Sequence, residues 1–169
     1  PATGEVVFQQ LRQFARRERV AVDPAQARAA PPSDAARRFE LVLDADAERA
    51  LMAGYERLAL FPENRAVLVE LRRRGVRAGI LSNGDRDMLA AVVANAGIAA
   101  LVDPVLSVEG TGRFKTDPAT YALGTRAFGL AAADVVFVSS NCWDAIGATW
   151  FGYTTLWINR FGLPLDELD

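Results

Sequence analysis

The sequence predicts an α/β protein built on a doubly wound parallel sheet, with a helical segment in front of it. Three observations predict this. From about residue 61 onward, short apolar runs alternate with amphipathic stretches of about ten residues. Each of the main apolar runs stops at a Ser/Asn/Gly cluster or a loop. The first 60 residues carry helical spacing and no convincing strand.

In the leading segment, Phe8, Leu11, Phe14 and Ala15 recur at helical spacing. Pro31-Pro32-Ser33-Asp34 breaks the chain and caps a second helix from about Ala35. A third is expected from Ala47 to Leu58, and Phe61-Pro62-Glu63 punctuates. Glu63 to Arg74 then reads as an amphipathic helix ending at Gly75, and Val76 to Leu81 as a strand that stops at Ser82-Asn83-Gly84. A helix from Asp85 to Ala96 leads to a second strand, Val105-Leu106-Ser107. Pro118 to Gly129 is helical, with proline in its first turn. Val135 to Val138 is the most apolar strand and stops at Ser139-Ser140-Asn141. A helix from Trp143 to Phe151 and a strand from Thr154 to Ile158 complete the pattern.

Composition narrows the chemistry. With 169 residues, 51% of them hydrophobic, the chain can bury the core of one domain plus a small appendage. A net charge of −2 gives no basic surface for nucleic acid. No apolar run approaches the ~20 residues of a membrane span, and Pro1-Ala2-Thr3-Gly4 has no features of a secretion signal. A single cysteine, Cys142, excludes an internal disulfide and fits a reducing cytoplasm. Histidine is absent, so Ser-His-Asp or Cys-His catalysis and an imidazole zinc site are ruled out within the chain. Acid–base work falls to carboxylates, tyrosine, water or lysine.

There is one lysine. Of 19 lysines and arginines, only Lys115 is a lysine. A compact ammonium fits a narrow site, whereas a guanidinium is a wide fork that stays charged; a position that keeps lysine in such a chain points to that requirement. Ligands of open parallel sheets bind beyond the carboxyl ends of strands. Ser82-Asn83, Lys115 and the stretch from Ser139 to Asp144 all follow apolar strands or lie in a strand-following loop, so they are expected to converge on one anion-receptive crevice. Taken singly, each has a plainer reading. Ser82 to Asp85 makes a turn and helix cap, and Asp144 a first-turn carboxylate favoured by the helix dipole.

Leu81-Ser82-Asn83-Gly84, Phe114-Lys115-Thr116-Asp117-Pro118 and Phe137-Val138-Ser139-Ser140-Asn141-Cys142-Trp143-Asp144 together resemble the haloacid dehalogenase (HAD) superfamily, and within it the type II L-2-haloacid dehalogenases. The resemblance implies a HAD-like, Rossmann-like core at 61–169 and a partial helical cap subdomain at 1–60. It implies hydrolysis of short L-2-haloacids to 2-hydroxyacids through an aspartyl ester, without cofactor. Lys115 would pair with the nucleophile and hold it ionised, Ser139 and Asn141 would orient the nucleophile or the hydrolytic water, and Asp144 would balance Lys115 and help position that water. Ser82 and Asn83 would bind the substrate carboxylate or the nucleophile. Tyr121 would lie near the carboxylate and the lysine, its plainer reading being a helix-face core aromatic, and Trp143 would form a pocket wall, its plainer reading being ordinary packing. Cys142 occupies a variable position and reads as a small buried residue. Ser140 stands where phosphatases of the superfamily place an aspartate; a hydroxyl there weakens a Mg²⁺ site and points to metal-free chemistry on a monoanion. Relatives of this kind are often dimers.

The nucleophile motif, an apolar strand followed by Asp-x-x-Gly-Thr-Leu, is missing. Leu41 to Glu48 imitates it but lacks the Gly-Thr-Leu turn, and its place fits the cap better. Glu5 to Gln10 has Gln9 where the aspartate belongs. The expectation is a chain without its first strand, which normally sits centrally between the strands ending at Ser82 and Ser139. Such a chain exposes strand edges and is expected to be unstable or to recruit a strand. The alternatives are a HAD-type phosphatase, or an inactive relic that binds a small carboxylate or a protein partner.

Overall fold

The computed structural model describes residues 44–166. The chain divides into two compact units, the first ending at Leu58 and the second beginning at Ala59. Of the first unit, one helix is described, α1 (Ala45–Glu56), capped by the Asp44 carboxylate, which accepts from the Ala47 N–H at 2.7 Å. Asp44 therefore starts a helix rather than ending a catalytic strand. The two helices expected before it, and residues 5–10 and 41–43 of the imitation motifs, lie outside the described residues.

The second unit alternates helix and strand as expected, in the order α2 (Pro62–Arg73), β1 (Ile80–Ser82), α3 (Arg86–Asn95), β2 (Val105–Ser107), α4 (Pro118–Phe128), β3 (Val136–Ser139), α5 (Cys142–Phe151) and β4 (Thr154–Trp157). Local chemistry sets most of the boundaries. Pro62 opens α2, and Asp85 and Asp117 cap α3 and α4 by accepting from Met88 and Ala119 N–H groups, each at 2.8 Å. Gly129 (φ 67°) and Gly152 (φ 108°) close α4 and α5 in the left-handed region that favours glycine. Short 3₁₀ turns at Val108–Thr111 and Ala132–Asp134 were not legible in the pattern. β1 starts at Ile80 rather than Val76, because the Val76 N–H is spent on the Leu71 carbonyl at the end of α2 (2.9 Å).

All pairing among the described strands is parallel, but it falls into two separate pairs, β1–β2 and β3–β4. On β1, the Ala78 carbonyl and the Ile80 N–H bond towards β2. Residues alternate sides along a parallel ladder, so Gly79 and Leu81 turn their backbone groups to the other edge. On β3, the Val135 and Ser139 carbonyls accept from Thr154 and Ile158, which leaves Val136 and Val138 facing away from β4. No described strand pairs with either inner edge. The Lys115 ammonium reaches the first of them, donating to the Leu81 carbonyl at 2.7 Å.

Two apolar clusters support these pairs. Val93, Ile98 and Val102 pack with Leu60, Leu68 and Ile80. Tyr121, Ala148 and Tyr153 pack with Leu81, Phe137 and Phe151. The second cluster joins β1 to β3 and lies beneath the candidate site. The opposite face of β3–β4 is open, with Val136 64%, Val138 56% and Leu156 51% exposed, whereas parallel strands ordinarily bury both faces.

Candidate active site

Lys115 stands in the loop that precedes α4, and its side chain is 6% exposed. Its Nζ donates to the Leu81 carbonyl at 2.7 Å and to Asp144 Oδ2 at 3.1 Å, and lies 4.9 Å from the centre of the Phe137 ring. An ammonium has three donors, and two are in use among the described residues. The Asn83 side chain fixes the loop, its Oδ1 accepting from the Lys115 backbone N–H at 3.0 Å.

Asp144, in the first turn of α5, is buried and held on both oxygens. Oδ2 accepts from Lys115 and, at 2.9 Å, from the Ser139 hydroxyl; Oδ1 accepts from the Tyr121 hydroxyl at 2.9 Å. Ser139 Oγ also accepts from the Asn141 N–H at 3.1 Å, which ties the end of β3 to the start of α5. Asn141 is the N-cap residue of α5 and is half-buried. Ser82 Oγ accepts from the Gly84 N–H at 3.1 Å, keeping its own proton for another acceptor. The Trp143 N–H donates to Asp166 Oδ2 at 2.9 Å. Cys142 is buried, with its sulfur accepting from the Asp166 N–H at 3.4 Å.

Burial sets the electrostatics. Removal from water pushes the Lys115 ammonium below the usual lysine range, and the neighbouring Asp144 charge offsets only part of that. The Tyr121 phenol moves the other way: burial first, then the Asp144 charge and hydrogen bond, raise it well above an ordinary tyrosine. The result is a neutral phenol and an ammonium, both buried and both donating to Asp144. Among the described residues no group of three or more His, Cys, Asp or Glu is gathered that could hold a metal ion.

Most of the expected constellation is assembled. Ser82, Asn83, Lys115, Ser139, Asn141 and Asp144 sit on or just beyond the carboxyl ends of β1 and β3, or are bonded to residues that do. Tyr121 is fully buried, with its hydroxyl donating to Asp144 beside Lys115. Sequence reading missed three contributors. The Leu81 carbonyl leaves no trace in a side-chain pattern. Phe137 looks like any core aromatic. Gly147 sits inside α5, where a Cβ would lie 2.6 Å from Thr116 Cγ2 and 2.8 Å from the Tyr121 hydroxyl; a helix-interior glycine was the one available signal.

Comparison with known proteins gives the family. The chain is 44% identical over 131 residues to the haloacetate dehalogenase H-2 of Moraxella sp. (strain B), covering 76% of this chain and 58% of that protein. It is 44% identical over 132 residues to an (S)-2-haloacid dehalogenase of Pseudomonas sp. (strain YL), covering 78% and 57%. The chain thus spans less than two thirds of either relative. The crystal structure of the L-2-haloacid dehalogenase RSc1362 superposes with a TM-score of 0.82 at 45% identity, covering 98% of this chain and 77% of that one. A family model for haloacid dehalogenase-like hydrolases matches residues 3–152, and the chain belongs to that family.

Proposed function

We propose that the protein carrying this chain hydrolyses short L-2-haloacids to 2-hydroxyacids. The carboxylate of a nucleophilic aspartate attacks C2, the carbon–halogen bond breaks, and halide leaves. Water then attacks the resulting ester, releasing the 2-hydroxyacid and regenerating the carboxylate. The aspartate is not among the described residues. Its place is on a strand between β1 and β3, where both inner edges are unpaired by any described strand and Lys115 stands at the carboxyl end. The single observation that carries the reading is the buried Lys115–Asp144–Ser139–Tyr121 assembly.

In this reading Lys115 keeps the nucleophile ionised and stabilises charge as halide departs. Asp144 holds the ammonium in place and helps to position the hydrolytic water. Ser139 and Asn141 orient the nucleophile or the water. The Ser82 hydroxyl and the Asn83 amide N–H₂ are donors for the substrate carboxylate, and Trp143 walls the pocket. Residues 1–60 belong to a partial helical cap subdomain, the reaction needs neither metal nor cofactor, and the protein works in the cytoplasm, as a homodimer and without nucleic acid. No described helix is long and apolar enough to cross a membrane. The test is halide release from L-2-chloropropionate and chloroacetate by the full-length protein with chelator present. Phosphate release that requires Mg²⁺ would instead establish a phosphatase. Thermal stabilisation by 2-chloropropionate with no turnover would establish a binding relic.

A further inference from the structure

Tyr153 lies just before β4, is 5% exposed, and has no direct part in the chemistry above. Its hydroxyl donates to the main-chain carbonyl of Tyr121, within α4, at 2.5 Å. That approach depends on Gly124, where a Cβ would lie 2.5 Å from the hydroxyl oxygen. The ring is held as firmly. It stacks on Phe137 (5.6 Å between centres, planes 4° apart) and meets Tyr121 (6.1 Å, 87°) and Phe151 (5.1 Å, 64°) edge to face. Phe137 is the ring facing the Lys115 ammonium, and Tyr121 is the donor on Asp144. Tyr153 therefore backs two of the groups that surround the ion pair.

We propose that Tyr153 is a positioning residue for the Lys115–Asp144 pair: its hydroxyl pins α4 through the Tyr121 carbonyl, and its ring fixes Phe137, so that the Tyr121 phenol stays on Asp144. Tyr153→Phe keeps the ring and removes the pin. Released, the Tyr121 phenol swings away from Asp144, water enters, and the burial that depresses the Lys115 ammonium eases.

Because Lys115 is the only lysine of the chain, its ammonium can be followed directly by NMR titration of protein labelled at lysine, the signal assigned by its loss in Lys115→Arg. The expected result for Tyr153→Phe is a rise of the Lys115 pKa by about 0.5–1 unit. Tyr121→Phe should give a similar rise, and the double variant no more than the larger single shift, because both changes break one path. A generally loosened core would instead give additive shifts. Gly124→Ala, which pushes the hydroxyl off the carbonyl and leaves both tyrosines in place, should reproduce the shift, and it carries the test if Tyr153→Phe folds poorly. An unchanged Lys115 titration, or additive shifts, would overturn the proposal. The inference rests on the dehalogenase reading only for activity: kcat on 2-chloropropionate should fall about fivefold in Tyr153→Phe, with KM within about twofold, and an unchanged kcat would overturn it. If the wild type releases no halide, the functional reading fails while the titration still decides the role of Tyr153.

Discussion

Lys115 shows what burial does to a single charge. Its ammonium is desolvated on a carbonyl, a carboxylate and a ring face, and only the carboxylate brings an opposing charge. Lys115→Arg keeps the charge but cannot fit a planar fork into that space. We expect turnover to fall at least about 100-fold with the circular dichroism spectrum unchanged; near-native rates would refute the assignment. The alkaline limb of kcat should fall at lower pH than the usual lysine value of 10.5 allows, because burial lowers the ammonium. In Asp144→Asn that limb should move further towards acid, since the removed charge is what holds the lysine up; a limb that stays put would remove Asp144 from the pair. Tyr121 gives the opposite linkage for stability. Its folded pKa is raised, so its contribution is complete below the unfolded value of 10.0 and is lost as pH climbs above it. Chemical denaturation from pH 9 to 11 should show that loss in the wild type and a smaller one in Tyr121→Phe.

Between elements, the decisive contact is α4 against α5 over Gly147. Alanine is the better helix former by about 1 kcal/mol, but a Cβ at this position would meet Thr116 and the Tyr121 hydroxyl at under 3 Å. Overpacking of this kind costs about 1–3 kcal/mol, so the clash should win: Gly147→Ala is expected to lower the melting temperature and to displace the Tyr121 hydroxyl from Asp144. A higher melting temperature would mean that α5 can shift at no cost. The caps behave more simply. Asp117→Ala removes the acceptor for the Ala119 N–H and should cost about 1 kcal/mol, read as a lower denaturant midpoint.

At the scale of the whole molecule, two parallel pairs share one cluster beneath the site, with inner edges that no described strand pairs and an open apolar face at Val136, Val138 and Leu156. If no other segment covers those edges and that face, the chain is expected to melt at low temperature or to aggregate, and a cooperative monomeric melt with a high midpoint would show them covered. Much of this was legible in the residues. Period and punctuation gave the helix–strand alternation, because apolar spacing, caps and glycines act over a few residues. Strand ends plus a solitary lysine gave the crevice, because parallel sheets put ligands there. What short-range patterns could not carry was decided by contacts between distant segments. The use of the Leu81 carbonyl by Lys115 and the burial of Tyr121 on Asp144 depend on groups 34 and 23 residues apart meeting in space. Local chemistry thus determined which residues could serve an anion site, and only three-dimensional packing decided which of them hold the others in place, since a hydrogen bond's partner is set by where the chain returns and not by the residue that waits for it.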